Sequence, residues 1–199
     1  MVIEELLRDN KILIFHDEVS FSPKPDESDI LPTAKWIEKI LERFDAQIKI
    51  YPFSLNLMKM KAVLEKENPL LVFNLVDAVD GKCQLGCLVS ALLEALKIPY
   101  TGCNNNAMFM TSDKLLVKKI MRRNGIPTAD WTEDGIDIKP SLYIVKSAYE
   151  HCSAGLSDNN IVSDGEVKNK IEECTATFGG KWFAEKYMEG RSMNFYLIP

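Results

Sequence analysis

Residues 70–102, with the sequence LLVFNLVDAVDGKCQLGCLVSALLEALKIPYTG, predict a strand, a helix and an extended segment in that order. The apolar run over 70–74 has the length of a buried strand. Leucine and valine then recur at helical spacing from Leu85 to Leu96, so the helix is expected to end near Lys97. The extended segment starts at Pro99. Because strands that alternate with helices are joined by right-handed crossovers, this stretch predicts a mostly parallel sheet.

The residues before this stretch follow the same alternation. Strands are predicted over 11–15 and 47–51. One helix is predicted with Pro32 in its first turn and its apolar residues from Trp36 to Phe44, and a second helix is predicted over 55–66. The apolar residues at helical spacing in the first of these helices are Trp36, Ile37, Ile40, Leu41 and Phe44. Polar residues lie at the carboxyl ends of two predicted strands, at 15–18 and 74–77. Ligands bind at the carboxyl ends of the strands in open parallel sheets. These residues are either substrate contacts or ordinary solvated loop residues.

The second half of the chain has an α+β pattern instead. Strands are predicted over 142–146, 182–188 and 194–198. A helix over 112–124 is predicted to turn leucine, isoleucine and methionine inward and its basic residues outward, namely Lys118, Lys119, Arg122 and Arg123. Ser163 and Glu166 have capping-box spacing ahead of a helix whose predicted inner stripe is Val167, Ile171, Cys174 and Phe178. We place the boundary between the halves near 102–106.

Composition excludes several classes of protein. The 199 residues are 46% apolar and 27% charged, as in a soluble globular protein, and the net charge of −5 gives no basic surface for nucleic acid or an anionic membrane. No signal peptide and no apolar run of membrane-spanning length is evident. The five cysteines are expected to be reduced thiols in a cytoplasmic protein, and two histidines are too few to favour a zinc cage.

Two lysines stand where an anion would suit them. Lys146 ends an apolar strand. Its ammonium is therefore expected either to bind a partner such as a phosphate or to extend into solvent. Lys114 begins a helix, an end that favours negative charge, and it is explained if the lysine and the helix end share an anion. A surface lysine remains the alternative at both positions.

A loop and a strand supply further candidates. In the loop over 147–157, Ser153 and Gly155 would let main-chain N–H groups approach phosphates, unless the loop is an ordinary exposed hairpin, and Cys152 is a candidate reactive thiol. Glu185 lies in an apolar strand, on the opposite face from Lys186. Its carboxylate would accept a hydrogen bond from an amine such as adenine N6, or else form a salt bridge on a half-exposed strand.

Six motifs occur in a fixed order: IPYTG (98–102), SDK (112–114), GIPT (125–128), VKS (145–147), EHCSAG (150–155) and EKYMEGRS (185–192). With these motifs the chain resembles the D-alanine:D-alanine ligase family of the ATP-grasp superfamily, most clearly from residue 72 to residue 191. The resemblance implies an α/β fold with a Rossmann-like, parallel-sheet pre-ATP-grasp domain and an α+β ATP-grasp small lobe. The implied domain limits are 1–103 for the substrate domain, 104–190 for the N-terminal ATP-grasp lobe and 191–199 for the start of a second lobe.

The resemblance also implies roles for individual residues. The ATP-binding residues would be Lys114, Lys146, Ser153, Gly155, Glu185, Lys186, Met188 and Ser192. Weaker correspondences suggest substrate-binding roles for Glu27, Asp77 and Cys152. The family uses ATP and Mg²⁺ to form an acyl phosphate on a D-amino acid, which a second amine then attacks. A small amino-acid or carboxylate substrate and a homodimer are therefore implied, with no nucleic acid or membrane partner.

The chain also departs from the family pattern. Ser192 stands where a ribose-binding glutamate is usual, His151-Cys152 replaces Gly-Ser, and Ser147 replaces a proline. The second ATP-grasp lobe, with the catalytic arginine and the magnesium ligands, would follow Pro199, so catalytic residues are expected beyond it and these 199 residues alone are expected to be inactive. A non-catalytic nucleotide-binding or regulatory relative is the alternative, and an unrelated flavodoxin-like protein would explain only the first half.

Overall fold

The strand of residues 11–17 forms the centre of a parallel sheet. A computed structural model describes residues 2–18, 29–150 and 157–190. The sheet has the order β2-β1-β3, with strands β1 (Lys11–Asp17), β2 (Gln47–Phe53) and β3 (Leu71–Leu75). Phe15 of β1 lies opposite Tyr51 on one side and Asn74 on the other, both in parallel register. The parallel sheet predicted from the alternation of strands and helices is therefore confirmed.

Helices follow the strands as the sequence predicts. They are α1 (Val2–Leu7), α2 (Ile30–Glu42), α3 (Leu57–Glu67), α4 (Cys87–Ala95), α5 (Asn105–Thr111) and α6 (Lys114–Arg123). The predicted helix over 112–124 thus begins at Lys114, with the separate helix α5 before it. The described residues form two compact units that divide between Val117 and Lys118, with Tyr149 and Glu150 grouped with the first.

The first unit buries both faces of its sheet. Leu13, Phe15 and Val72 pack with side chains of α3 and α4, and Ile14 packs with Ala34 and Ile37 of α2. The expected contribution of Trp36 to this apolar face is wrong, because its side chain is 64% exposed. Trp36 lies two positions after the buried Ala34, which puts the indole on the opposite side of α2.

A buried carboxylate ties α3 to this sheet. Glu67, at the end of α3, lies 2.7 Å from the Lys49 Nζ and 3.1 Å from the Lys11 Nζ, and it accepts a hydrogen bond from the Tyr51 hydroxyl. The two ammonium groups and the hydroxyl hold the pKa of Glu67 at about 2, below its ordinary value of 4.5. The carboxylate therefore stays ionised and links the helix end to both strands.

The second unit is an antiparallel sheet covered by one helix. Its order is β4-β7-β5-β6, with β4 (Trp131–Thr132), β5 (Leu142–Ser147), β6 (Ile161–Ser163) and β7 (Trp182–Lys186), and α7 (Val167–Phe178) packs on it. The Ser163–Glu166 capping box is confirmed. Phe178 is not part of the inner stripe, since it is 61% exposed and touches the Trp182 ring at the margin, 5.6 Å between centroids.

The predicted strand over 182–188 ends at Lys186, and the one predicted over 194–198 lies outside the described residues. The domain limits inferred from the family resemblance remain predictions. Across residues 2–18, 29–150 and 157–190, no helix has both the length and the apolar character needed to cross a membrane.

Candidate functional site

Glu185 is the centre of a charged cluster in the second unit. It stands one residue before the end of β7, opposite Ile144 of β5 and Trp131 of β4. Lys146 lies opposite Phe183, two residues from Glu185, so alternation places the two charged side chains on one face. The Lys146 ammonium donates to Glu185 Oε1, and the Lys118 Nζ lies 2.8 Å from Oε2. Both oxygens of one carboxylate are thus held by ammonium groups.

Lys118 was predicted to point outward, and that prediction is wrong. The residue is only 7% exposed. Its Nζ lies 2.8 Å from the Thr128 Oγ1, 2.9 Å from the Ala129 carbonyl oxygen and 2.8 Å from Glu185, so each of its three protons has an acceptor. The signal that would have found it is spacing, because Lys118 follows the buried Leu115 by three residues and therefore shares its helix face.

The surroundings of Glu185 are rich in positive charge. Burial raises the pKa of the Glu185 carboxyl, but the hydrogen bonds and charges of Lys118 and Lys146 outweigh burial and hold the pKa below its ordinary value. Lys118 and Arg122 both approach the Trp131 ring, with the Arg122 guanidinium 4.0 Å from its centroid. Arg122 also pairs with Asp130 at 2.9 Å. The three cations of this cluster therefore exceed its two carboxylates by one charge.

The side chains of Lys118 and Lys146 differ in their exposure to solvent. The Lys118 side chain is 8% exposed and that of Lys146 is 24% exposed. Lys146 stands one residue before the end of β5, so its ammonium meets solvent beside the carboxylate. Lys146 is thus the more exposed lysine of this cluster, and the phosphate contact expected of it remains a prediction.

Two main-chain amides after Glu185 already form hydrogen bonds within the second unit. The Lys186 amide donates to the Asp130 carbonyl and the Tyr187 amide donates to the Leu142 carbonyl, each at 2.8 Å. Of the predicted adenine-binding segment, the Met188 amide is the next donor along the chain. The Lys186 and Met188 side chains are exposed.

Lys114 belongs to the first unit, where its ammonium donates to the Glu150 carbonyl oxygen. The anion at the start of α6 is the Asp113 carboxylate, which accepts from the Leu115 amide at 2.9 Å and the Leu116 amide at 3.0 Å. An acidic cap of this kind suits the helix dipole. The Glu150 carboxylate in turn accepts a hydrogen bond from the Cys83 thiol at 3.4 Å.

The polar residues at the strand ends of the first unit are joined to one another. Asp17 Oδ1 accepts from the Asp77 amide at 2.9 Å and from the Ala78 amide at 3.1 Å. His16 is buried, with Nδ1 2.7 Å from the Asp17 carbonyl oxygen. These contacts favour a structural role for His16 and Asp17, whereas Asp77, the predicted substrate residue, is exposed.

The remaining predicted site residues, Glu27, Cys152, Ser153, Gly155 and Ser192, lie outside the described residues. Among the residues that the structure does describe, no three histidine, cysteine, aspartate or glutamate side chains come together as a metal site.

Comparison with known proteins identifies relatives of this chain, although no protein-family model matches it. A D-alanine--D-alanine ligase of Oleidesulfovibrio alaskensis is 27% identical over 174 residues, which are 83% of this chain and 54% of the ligase. The crystal structure of the D-alanine--D-alanine ligase from Bacillus anthracis superposes with a TM-score of 0.64 and 25% identity, covering 91% of this chain and 58% of that one. The same ligase complexed with ATP gives a TM-score of 0.59 at 23% identity, covering 91% of this chain and 60% of that one.

A more distant structure shares the fold alone. The biotin carboxylase domain of the Hydrogenobacter thermophilus 2-oxoglutarate carboxylase, in complex with MgADP, superposes with a TM-score of 0.57 at 14% identity, over 90% of this chain and 44% of that one. The fold is thus the mixed α/β fold of the ATP-grasp ligases. The chain is a relative of the D-alanine--D-alanine ligases over the part it shares with them, and it spans about half the length of the curated ligase it matches.

Proposed function

We propose that the second unit binds ATP and that the chain is part of an ATP-dependent carboxylate–amine ligase resembling D-alanine:D-alanine ligase. The observation that carries the proposal is the Glu185 carboxylate held by Lys118 and Lys146, with the Lys146 ammonium partly exposed beside it. A carboxylate has about four lone-pair sites, so two remain for a ligand after these contacts. An amine-bearing base and a phosphate chain together match this acceptor and this cation.

Each proposed contact follows from the chemistry of its group. Glu185 accepts a hydrogen bond from the adenine amine, and Lys146 turns its ammonium to a phosphate oxygen. The main chain of residues 186–188 completes the adenine site, with the Met188 amide as donor. We retain Lys114, Ser153 and Gly155 as proposed phosphate contacts and Ser192 as the residue at the ribose position, and Glu27, Asp77 and Cys152 as proposed substrate contacts.

The proposed reaction forms an acyl phosphate from ATP and an amino acid, and an amine then displaces the phosphate. Mg²⁺ would neutralise charge on the phosphate groups when bound. We propose that the described residues contribute nucleotide binding and orientation. We further propose a cytoplasmic protein that acts on a small amino-acid or carboxylate substrate.

A non-catalytic nucleotide-binding relative is the second candidate. It is favoured by Ser192 at the ribose position and by His151-Cys152 in the EHCSAG motif (150–155), where the family has Gly-Ser. The coding sequence beyond codon 199 separates the two candidates, since an acidic and asparagine-containing metal motif there favours the enzyme and its absence favours the binding module.

Isothermal titration with ATP and Mg²⁺ tests the nucleotide site. Saturable binding is expected for the chain, with at least a tenfold loss of affinity in Lys146→Ala, because a charge-assisted contact to phosphate contributes about 1.5 to 3 kcal/mol. The matched control is Lys168→Ala, an exposed lysine of α7, which is expected to bind ATP like the wild type. No binding at millimolar ATP, or equal binding by Lys146→Ala, contradicts the proposal.

A further inference from the structure

We infer that Lys118 is a positioning residue that makes the Glu185 carboxylate a selector for purines with an amino group at ring position 6. The inference rests on the proposed nucleotide site and concerns a residue that never touches the ligand. It is carried by the burial of Lys118 and by the three oxygens that surround its ammonium.

Lys118 cannot leave its position at low cost. Thr128, Ala129 and Glu185 each place an oxygen within 2.9 Å of the Nζ, and the ammonium has three protons to donate. Moving it to a phosphate would leave three partly buried acceptors without their donor. Lys118 is therefore fixed by the protein rather than by a ligand.

Lys146 has no such constraint. Its ammonium donates to Glu185 and lies 5.9 Å from the centroid of the Phe183 ring, and its side chain is partly exposed. When Lys146 turns to a phosphate, Glu185 would be a half-buried carboxylate without a counter-charge if Lys118 were absent. Such a group tends to take up a proton. Lys118 keeps the carboxylate ionised and its Oε2 fixed while Lys146 is engaged with the ligand.

An ionised and fixed carboxylate discriminates between bases. It can only accept hydrogen bonds, so it pairs with an exocyclic amine and repels the keto oxygen that guanine carries at the same ring position. A protonated carboxyl would instead donate to a keto oxygen and lose this discrimination. The selectivity therefore depends on Lys118, although the contact to the base is made by Glu185.

The test compares ATP with purine riboside 5′-triphosphate, which differs from ATP only by lacking the 6-amino group. Wild-type chain is expected to bind ATP about 10- to 100-fold more tightly than the analogue, the range for a hydrogen bond to a charged group. Lys118→Met, which keeps the length of the side chain without its charge, is expected to reduce this ratio to about threefold or less, mainly by weakening ATP. A merely structural role would weaken both nucleotides equally and leave the ratio unchanged.

The matched control is Lys119→Met, the exposed neighbour that pairs with Glu133, for which the wild-type ratio is expected. Thermal unfolding checks that each variant is folded. If Lys118→Met does not fold, the ratio is measured in Glu185→Gln and in Glu185→Gln/Lys118→Met, where the buried charges are removed together. These two are expected to show the same low ratio, because Lys118 acts through Glu185.

The outcomes separate the inference from the proposed function. ATP binding with a wild-type ratio in Lys118→Met, or different ratios in the Glu185→Gln pair, overturns the role of Lys118 and leaves the nucleotide site standing. A wild-type chain that binds neither nucleotide overturns both.

Discussion

Glu185→Leu is expected to destabilise the second unit more than Lys118→Met does. In Glu185→Leu the Lys118 ammonium stays buried with only the Thr128 hydroxyl and the Ala129 carbonyl, both neutral. Breaking a buried pair in this way costs about 3 to 5 kcal/mol. In Lys118→Met the Glu185 carboxylate keeps Lys146, and the two abandoned oxygens are only half-buried, so the expected cost is about 1 to 2 kcal/mol.

The double variant shows whether the two charges are coupled. With both removed, no unpaired charge remains in the site, so the combined cost is expected to fall short of the sum of the single costs by about 1 to 3 kcal/mol. Urea unfolding measures these free energies in a Trp36→Phe background. Trp36 is exposed and belongs to the first unit, and removing it leaves Trp131 and Trp182 to report on the second unit. Equal losses of unfolding free energy in the two single variants would contradict the expected difference between them. A loss in the double variant equal to the sum of the single losses would show that the two charges are not coupled.

Three further predictions concern stability elsewhere. Glu67, with a folded pKa of about 2, stabilises the fold above pH 4.5 and loses this contribution as the pH falls toward 2. Glu67→Gln is therefore expected to reduce the dependence of the unfolding free energy on pH between 4.5 and 2, measured by urea unfolding. Ser163→Ala removes half of the capping box with Glu166 and is expected to lower the free energy of unfolding by about 1 kcal/mol in thermal unfolding. Gly135→Ala places a Cβ 2.8 Å from the Lys168 main-chain nitrogen at a φ of +71°, and calorimetric unfolding is expected to show a loss of about 1 to 3 kcal/mol.

Each of these predictions has a matched control. Glu65→Gln changes an exposed carboxylate of the same helix and should leave the acid profile unaltered, whereas a Glu67→Gln profile parallel to wild type would exclude the network. Ser163→Thr keeps a capping hydroxyl, so stability equal to that of Ser163→Ala would argue against the cap. Gly165→Ala meets no atom within 4 Å, and a Gly135→Ala variant that is no less stable would contradict the steric argument.

The parallel sheet could be predicted because β1 and β3 each contain a short apolar run, residues 12–15 and 71–73, and helical patterns separate the two runs. The capping box could be predicted because it depends on two residues three positions apart. Trp36 and Phe178 could not be placed, since both lie at helical spacing from apolar neighbours but at the margins of the contact faces. Side-chain type describes a helix face only approximately, and the width of that face is set by what packs on it.

Two members of the charged cluster, Lys146 and Glu185, could be recognised from the sequence, but the third member and the contacts among them could not. Lys146 and Glu185 were recognised from their strand positions, but their contact requires the register of β5 on β7, which the sequence does not specify. Lys118 was missed because two of its acceptors, the Thr128 hydroxyl and the Ala129 carbonyl, lie in the segment after α6. They approach the Lys118 ammonium only in the folded structure. A charged residue on an apolar helix face is the pattern that would have marked it.

A crystal structure of the chain with ATP bound would show directly whether the charged cluster holds the nucleotide. We expect the purine amine within hydrogen-bond distance of Glu185 and of the main chain after it, a phosphate oxygen at the Lys146 Nζ, and Lys118 still bound to Thr128, Ala129 and Glu185. A nucleotide bound away from β5 and β7, or one that displaces Lys118 from Glu185, would contradict this expectation.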